Sequence, residues 1–255
     1  MVPGWEQIAW MVMAGLCGGM INAVAGGGTL LTFPVMLAAG MSVTEANAGS
    51  MVALWPAYGL ALWTSRGSLQ PLRSLLPGLA LASLGGGIAG AAFLLWLGNA
   101  AYSHLLPWLA LLATLVYALS GYFHASPARS EGGGHFRMLP WWQLLVAWYG
   151  GFFGAGMGFL MLALYALSGV AQIAQQNALK NWGSMWVVSV AIAVYGLDGQ
   201  IKWVLVLPVA CGAVLGGWCG GTLAGRLSAT WFRTVVVMAG LGLSGGLWAR
   251  QHGLF

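Results

Sequence analysis

The sequence predicts an all-α integral membrane protein made of two inverted repeats, each a re-entrant-like helical hairpin with a glycine-rich tip followed by three transmembrane helices. Three observations lead to this fold class. Of the 255 residues, 60% are hydrophobic and 5% are charged, whereas a soluble domain carries about 25% charged residues. The apolar runs lack the alternation of strands, and a helix satisfies its own backbone hydrogen bonds in lipid. The two halves of the chain also resemble each other.

Apolar segments define the predicted helices in chain order. They cover 6–25, 29–39, 45–64, 74–97, 102–122, 140–156, 158–168, 173–195, 202–225 and 230–248. Segments 29–39 and 158–168 are too short to cross a hydrocarbon core of about 30 Å, which takes roughly 20 residues. Each of the two follows a glycine cluster, at Gly26–Gly28 or within 151–158. We therefore expect hairpins whose glycine tips lie near the bilayer midplane.

The chain divides into a first repeat at 1–123, a cytoplasmic linker at 124–139 and a second repeat at 140–255. The linker is the one stretch with a soluble composition. On either side of it, a glycine cluster, a short apolar run, a loop glycine and an Asn-Ala pair recur in the same order, with Asn47 and Asn177 as counterparts. Repeated halves of this kind are typical of secondary transporters.

Arginine pairs predict the orientation in the membrane. Three loops carry two arginines each: Arg66 and Arg73, Arg129 and Arg137, and Arg226 and Arg233. Cytoplasmic loops carry an excess of Lys and Arg, so we place all three loops in the cytoplasm and both termini outside. The first hairpin then enters from the outside and the second from the inside. Because each hairpin is followed by three full spans, the two halves are inverted relative to each other.

The hairpin tips are the first candidate binding site. Glycine permits a turn at that depth and lets bare backbone approach a ligand. The two short helices point their N-termini at the tips, where free N–H groups and a partial positive charge bind anions. The candidate residues are Gly27, Gly28, Thr29, Gly156, Met157 and Gly158, together with Asn22, which either binds the substrate or caps the turn.

Close helix packing is the alternative explanation for glycine clusters, since small residues let membrane helices approach each other. We adopt this explanation for the clusters in 83–90 and 213–225. For the hairpin tips we expect a binding function instead, because each tip precedes a short helix and the two tips form a symmetric pair.

A polar stripe in the second half is the other candidate site. Helical spacing places these polar side chains on one face: Gln172, Gln176, Asn177, Lys180, Asn181 and Ser184. Lys180 has no acid nearby in sequence, and an intramembrane lysine indicates a functional site unless it snorkels to the interface. An anionic substrate would be its partner. The equivalent first-half segment contributes Asn47 and Ser50, and Glu45 is expected to cap the helix that it opens.

The remaining residues argue against other classes of protein. Cys17, Cys211 and Cys219 lie in apolar runs without CxxC spacing, so we expect neither disulfides nor a metal site. The sequence has no HExxH or GxSxG motif and its four histidines do not group into ligands, which opposes a membrane-embedded enzyme. It has no TVGYG-like channel filter. The scarcity of intramembrane acids opposes a cation carrier, and we expect no cofactor and no nucleic-acid partner.

The glycine cluster that runs into "TLLTFPVML", the later "EANAGS" and their echo in the second half resemble the TauE/SafE family of sulfite and organosulfonate exporters. The resemblance covers 6–250 and places the family's glycine motif on Gly26–Thr29 and Gly154–Gly158. In the second copy, Met157 stands where a further glycine is usual and Ala163 matches Pro34. The resemblance implies a multi-pass carrier of the bacterial inner membrane with periplasmic termini. It would export sulfite, sulfoacetate or a related anion by alternating access.

The membrane potential agrees with export. Moving one charge through 100 mV is worth about 2.3 kcal/mol, so an anion leaves a negative cytoplasm without an obligatory coupling ion. Of the four acidic residues, Glu45 is the one near a predicted span, which leaves no chain of carboxylates for a proton relay. The expected partners are a small anion and membrane lipid, and a homodimer stays open. Uptake of another small anion and a membrane-embedded enzyme are the alternative functions.

Overall fold

A computed structural model describes residues 4–24, 27–123, 135–223 and 229–251, and within these ranges the regular structure is helical throughout. The helices are α1 (Trp5–Val24), α2 (Thr29–Ala38), α3 (Val43–Ser65), α4 (Leu76–Phe123), α5 (His135–Phe152), α6 (Met157–Leu167), α7 (Ile173–Leu197), α8 (Trp203–Leu223) and α9 (Ala229–Gln251). A 3₁₀ helix, Arg66–Leu72, links α3 to α4. The all-α prediction is therefore confirmed for the described residues.

The structure differs from the sequence prediction in two places. The predicted helices 74–97 and 102–122 are two arms of α4, which meet at Gly98 with a φ of 75° that favours glycine. Of the predicted linker, 124–134 lie outside the described residues and 135–139 begin α5, because helical backbone extends ahead of Pro140. Gly26 of the first glycine cluster also lies outside the described residues.

Both short apolar helices lie where the sequence places them. α2 has 10 residues and α6 has 11. The turn between α5 and α6 contains Gly154 and Gly156, whose φ angles of 76° and 79° favour glycine over any residue with a Cβ. The backbone of this turn therefore depends on glycine irrespective of any ligand.

Glycines bring helices of the two halves into backbone contact. α1 packs along α8, and α5 packs along the first arm of α4. A Cβ added at any of four glycines would overlap a backbone carbonyl oxygen of the facing helix, pairing Gly212 with Val12, Gly216 with Leu16, Gly86 with Leu144 and Gly90 with Trp148. The packing role predicted for the clusters in 83–90 and 213–225 is confirmed at Gly86, Gly90 and Gly216, and Gly212, just before the second cluster, packs in the same way. Each half thus places its first helix against the other half.

Contacts between α3 and α7 define two ends of the helix bundle. Asn47 near the beginning of α3 contacts Tyr195 near the end of α7, and Ser65 at the end of α3 contacts Asn181 near the beginning of α7. The two helices therefore run antiparallel. We call the end that contains the 3₁₀ helix Arg66–Leu72 the arginine end, and the opposite end the acidic end.

Three carboxylates lie at the acidic end. Glu45 accepts a hydrogen bond from the Ser42 backbone N–H at 3.0 Å, and the Ser42 hydroxyl accepts one from the Glu45 N–H at 3.3 Å, so the predicted capping role of Glu45 is confirmed. Glu45 also pairs with Lys202 at 3.1 Å. Asp198 directly follows α7. Glu6 lies in the first turn of α1, which runs parallel to α8 and so begins beside Lys202.

Large apolar side chains cover much of the outer surface. Trp96 is 78% exposed and Leu81 is 71% exposed. Leu76–Val116 and Trp203–Gly220 are long and apolar enough to cross a membrane, and fewer than half of the residues in an apolar 18-residue stretch of each are buried within the protein. Such a surface suits lipid rather than water as the surrounding medium.

Candidate functional site

The second hairpin tip, residues 153–158, lies against the middle of α3 and against α2. A Cβ added at Gly154 would lie 2.8 Å from Cε of Met51, which is near the middle of α3. The ring of Phe153 meets Phe33 of α2 edge to face, with centroids 6.0 Å apart. The Tyr149 hydroxyl donates to the carbonyl of Ala155 at 2.8 Å and so ties the tip to α5. The second tip is therefore held by the first hairpin as well as by its own.

The first tip, residues 27–29, packs closely on α1. Gly27, Gly28 and Thr29 are buried, and a Cβ at Gly28 would overlap the carbonyl oxygen of Gly18. Asn22 is buried beside this turn, and its carboxamide oxygen has no hydrogen-bond partner in the described part of the chain. Packing thus explains Gly28, while Asn22 keeps an acceptor available at the tip.

The helix N-termini at the tips are partly satisfied by the turns themselves. In the first tip, the N–H of Leu30 donates to Gly27 at 3.1 Å and that of Leu31 donates to Gly28 at 3.0 Å. In the second tip, the N–H groups of Met157 and Phe159 donate to turn carbonyls at 3.3 and 3.0 Å. Fewer amides remain for an anion than an open helix N-terminus offers.

The three predicted residues of the second tip are all buried, and each has different surroundings. Gly156 adjoins Ala113 of α4, 3.1 Å from a Cβ built at the glycine. The Met157 sulfur occupies the space where a Cβ at Gly150 would stand, so its side chain turns back onto α5. Gly158 is buried in the first turn of α6. Met157 therefore packs the hairpin together.

The first-half residues of the polar stripe are fully buried. The Asn47 amide donates to the carbonyl of Phe152 at 3.2 Å and contacts the Tyr195 hydroxyl at 3.5 Å, while its carboxamide oxygen has no partner among the described residues. The Ser50 hydroxyl lies 3.7 Å from the sulfur of Met36. Asn47 thus joins α3 to the end of α5, across the two halves.

The second-half residues of the stripe differ in burial. Lys180 is 1% exposed and forms no ion pair with any described residue. Gln176 donates to the carbonyl of Val170 at 2.6 Å, and Asn181 donates to the Ser65 hydroxyl at 3.3 Å; both are buried. Asn177 is partly exposed and donates one turn back along α7, so it lies off the buried face. The burial of Lys180 opposes the snorkelling explanation.

The two parts of the stripe lie at different levels along α7. Asn47 contacts α7 at Tyr195, whereas Lys180 is fifteen residues earlier on the same helix, about 22 Å along its axis. Asn47 also bonds to Phe152, directly before the second tip, so this tip lies beside Asn47. The predicted residues therefore form a line from the arginine end toward the acidic end rather than one compact cluster.

Sequence reasoning missed a second set of buried polar groups. The Gln143 amide donates to the Ser83 hydroxyl at 2.9 Å and accepts from the Tyr165 hydroxyl at 2.9 Å, which links α4, α5 and α6. Tyr195 donates to the carbonyl of Gly151 at 2.6 Å. Gln143 is visible in the sequence as a polar residue in an apolar run. The tyrosines carry no such signal, since a tyrosine in an apolar run also fits core packing.

Within the described ranges, no three His, Cys, Asp or Glu side chains come close enough to bind a metal ion. Cys17, Cys211 and Cys219, all within the described ranges, form no disulfide. The described chain thus offers buried amides, hydroxyls and one lysine around two glycine turns, inside a helical bundle with an apolar exterior. These features are typical of a helical membrane protein of the carrier type, which keeps polar groups inside its bundle.

Comparison with known proteins identifies the family. The family model described as sulfite exporter TauE/SafE matches residues 11–247. The chain therefore belongs to the sulfite exporter TauE/SafE family, and it is a membrane transporter rather than an enzyme.

Curated relatives agree with this assignment. The probable membrane transporter protein ORF9 of Sinorhizobium sp is 26% identical over 94% of this chain and 92% of its own length. A probable membrane transporter protein of Haemophilus influenzae is 28% identical over 92% of each chain. The probable membrane transporter protein YfcA of Escherichia coli K12 is 27% identical over 92% of this chain and 87% of its own. No solved structure gives a significant match.

Proposed function

We propose that this protein exports a small sulfur-containing anion, such as sulfite, sulfoacetate or a related organosulfonate, across the bacterial inner membrane. The family description supplies the substrate class. The observation that carries the proposal is Lys180, a buried cation that forms no ion pair with a described carboxylate. A buried charge is costly unless it is paired, and an oxyanion would be the missing partner.

Alternating access is supported by the relation between the two halves. α3 and α7 are counterparts in the repeated sequence and run antiparallel, as inverted repeats require. The packing of α1 on α8 has its counterpart in the packing of α5 on the first arm of α4. In this proposal the substrate is held at the level of the two tips, and the halves move around it.

The polar line through the bundle supports a route for the substrate. Lys180 and Asn181 lie toward the arginine end, and Asn47 and Ser50 lie nearer the acidic end, beside the second tip. We place the arginine end in the cytoplasm because cytoplasmic loops carry the excess of Lys and Arg. An anion then meets Lys180 before it reaches the tips. It leaves past Asn47 along the membrane potential, which favours the exit of each negative charge by about 2.3 kcal/mol per 100 mV.

The experiment is efflux of radiolabelled sulfite from proteoliposomes under an imposed potential. We expect efflux to rise when the lumen is negative and to fall at least tenfold in Lys180→Ala, with Lys180→Arg retaining more activity. Lys202→Ala is the matched control, because Lys202 is half exposed and paired with Glu45 at the acidic end. Efflux that depended on a pH gradient and ignored the potential would contradict an uncoupled exporter.

Thermal unfolding of the purified protein gives a second readout. A ligand that binds only the folded state stabilises it by about 2.7 kcal/mol at a hundred times its dissociation constant. Sulfite or sulfoacetate should stabilise the wild type and lose that effect in Lys180→Ala. If another anion stabilises the protein and no sulfur oxyanion does, the protein carries a different substrate. Net uptake against an outward substrate gradient at zero potential, driven by an imposed inward proton or sodium gradient, would favour a coupled importer.

A further inference from the structure

A cavity of about 720 Å³ opens at the arginine end, between the end of α3 and the beginning of α4. Its wall includes Trp63, Arg66, Gln70, Arg73 and Leu76, and none of its lining residues is acidic. The Arg66 guanidinium lies over the Trp63 ring, 3.8 Å from the ring centroid. We call this cavity the arginine basin.

The basin adjoins the segment of α7 that carries the buried lysine. The two residues that follow Lys180 both hydrogen-bond at the margin of the basin. Asn181 donates to the hydroxyl of Ser65, beside Arg66, at 3.3 Å, and the Trp182 indole donates to the carbonyl of Leu76 at 3.3 Å. The segment of α7 that carries Lys180 therefore borders the basin.

The charges of the described chain leave the basin electropositive. The carboxylates of Glu6, Glu45 and Asp198 all lie at the acidic end, the full length of α3 away from Arg66. Across such a distance, solvent screening removes most of their effect on the basin. A concave site lined by one sign of charge concentrates ions of the opposite sign.

We propose that the arginine basin is the cytoplasmic binding vestibule of the transporter, in which Arg66 and Arg73 bind the oxyanion before it reaches Lys180. The proposal rests on the proposed function. Guanidinium groups suit sulfite and sulfonate because their N–H groups match paired oxygens. Stacking on Trp63 holds the Arg66 plane in place and leaves its N–H edge for the anion. If Arg66 and Arg73 served only to orient this loop toward the cytoplasm, their two charges would be enough. Neither the cavity nor the stacking of Arg66 on Trp63 would then be needed.

A cysteine reporter tests the basin without any transport. In a background in which the three native cysteines are replaced by alanine, Gln70→Cys places a thiol in the basin wall and Gln200→Cys places one at the acidic end. The probes are methanethiosulfonates of equal size, the anionic ethylsulfonate and the cationic ethyltrimethylammonium. We expect the ratio of anionic to cationic reaction rates to be about tenfold higher at position 70 than at position 200.

Substitution of the arginines completes the test. Arg66→Gln with Arg73→Gln should lower the ratio at position 70 several-fold, and Arg66→Lys with Arg73→Lys should keep it. Sulfoacetate should slow the labelling of position 70 in the protein that retains both arginines. Equal ratios at the two positions, or a ratio that the Gln substitutions leave unchanged, would overturn the vestibule.

Transport separates this proposal from the proposed function. In inverted vesicles, the double Gln variant should show at least a tenfold higher KM for sulfite with an unchanged maximal rate, and its KM should depend less on ionic strength. If the wild type transports sulfite and the double Gln variant has the same KM as the wild type, the vestibule proposal is contradicted and the proposed function is not. A wild type that moves no sulfur oxyanion contradicts the proposed function, and the reagent ratio still decides whether the basin concentrates anions.

Discussion

Two adjacent glycines in α4 should respond in opposite ways to the same substitution. A Cβ at Gly86 would overlap the carbonyl oxygen of Leu144 and lie 2.7 Å from Cβ of Ala147. A Cβ at Gly85 would meet a flexible methyl group, Cδ1 of Leu144, at an ordinary 3.7 Å. The sequence "LGGGIAG" contains no signal that distinguishes them, so their difference depends on the packing of α4 on α5.

The expected magnitudes follow from these contacts. Overpacking costs about 1–3 kcal/mol, and the upper part of that range applies to Gly86→Ala because the carbonyl belongs to the backbone of α5 and cannot rotate away. Alanine returns about 1 kcal/mol of helix propensity in either variant. We expect Gly86→Ala to lower the free energy of unfolding by about 1–2 kcal/mol and Gly85→Ala to raise it by up to about 1 kcal/mol.

Thermal unfolding of both variants in one detergent, at one scan rate, measures the difference. Their apparent melting temperatures should differ by several degrees, with the wild type between them. Equal shifts would mean that the close contact between α4 and α5 is not part of the folded protein. If only Gly85→Ala changed the melting temperature, Gly85 rather than Gly86 would lie on the face of α4 that packs on α5.

Two further predictions concern the second tip and the cap of α3. Gly154→Ala and Gly40→Ala both force a Cβ onto a positive φ, 76° and 88°, and each should cost about 1 kcal/mol or more. Gly154→Ala should cost more, because Gly40 has open space around it, and equal melting temperatures would contradict the packed tip. Ser42→Ala removes the N-cap and should cost about 1 kcal/mol. Glu45→Gln keeps a cap acceptor and loses a partly exposed ion pair with Lys202, so it should cost under about 1 kcal/mol. A larger cost for Glu45→Gln than for Ser42→Ala would contradict the capping box.

Helix positions were predictable from the sequence because apolar length and glycine content act locally. α2 and α6 appear as short helices since the apolar runs after the glycine clusters are themselves short. The merging of two predicted helices at Gly98 was not predictable, because a glycine can end a helix or turn it. Only the surroundings decide which of the two happens.

The burial of Lys180 and Asn47 was predictable from the sequence and their arrangement was not, and their role in binding a substrate stays a prediction. Lys180 and Asn47 were identified because polar side chains inside apolar runs are costly in lipid without a partner. Their separation along α7 depends on the antiparallel contact of α3 with α7, which joins residues more than a hundred positions apart. Helical periodicity within one segment carries no information about that contact.

The sequence by itself determined the membrane setting, the helical class and the polar residues inside the apolar helices. These properties depend on composition and local pattern, which lipid and backbone hydrogen bonding translate directly into helices. The tertiary structure alone decided which glycines pack and which turn, that Met157 folds back onto α5, and that Arg66 and Arg73 line a cavity beside the segment of α7 that carries Lys180. Those outcomes depend on contacts between distant segments, and such contacts form only when helices from both halves pack together.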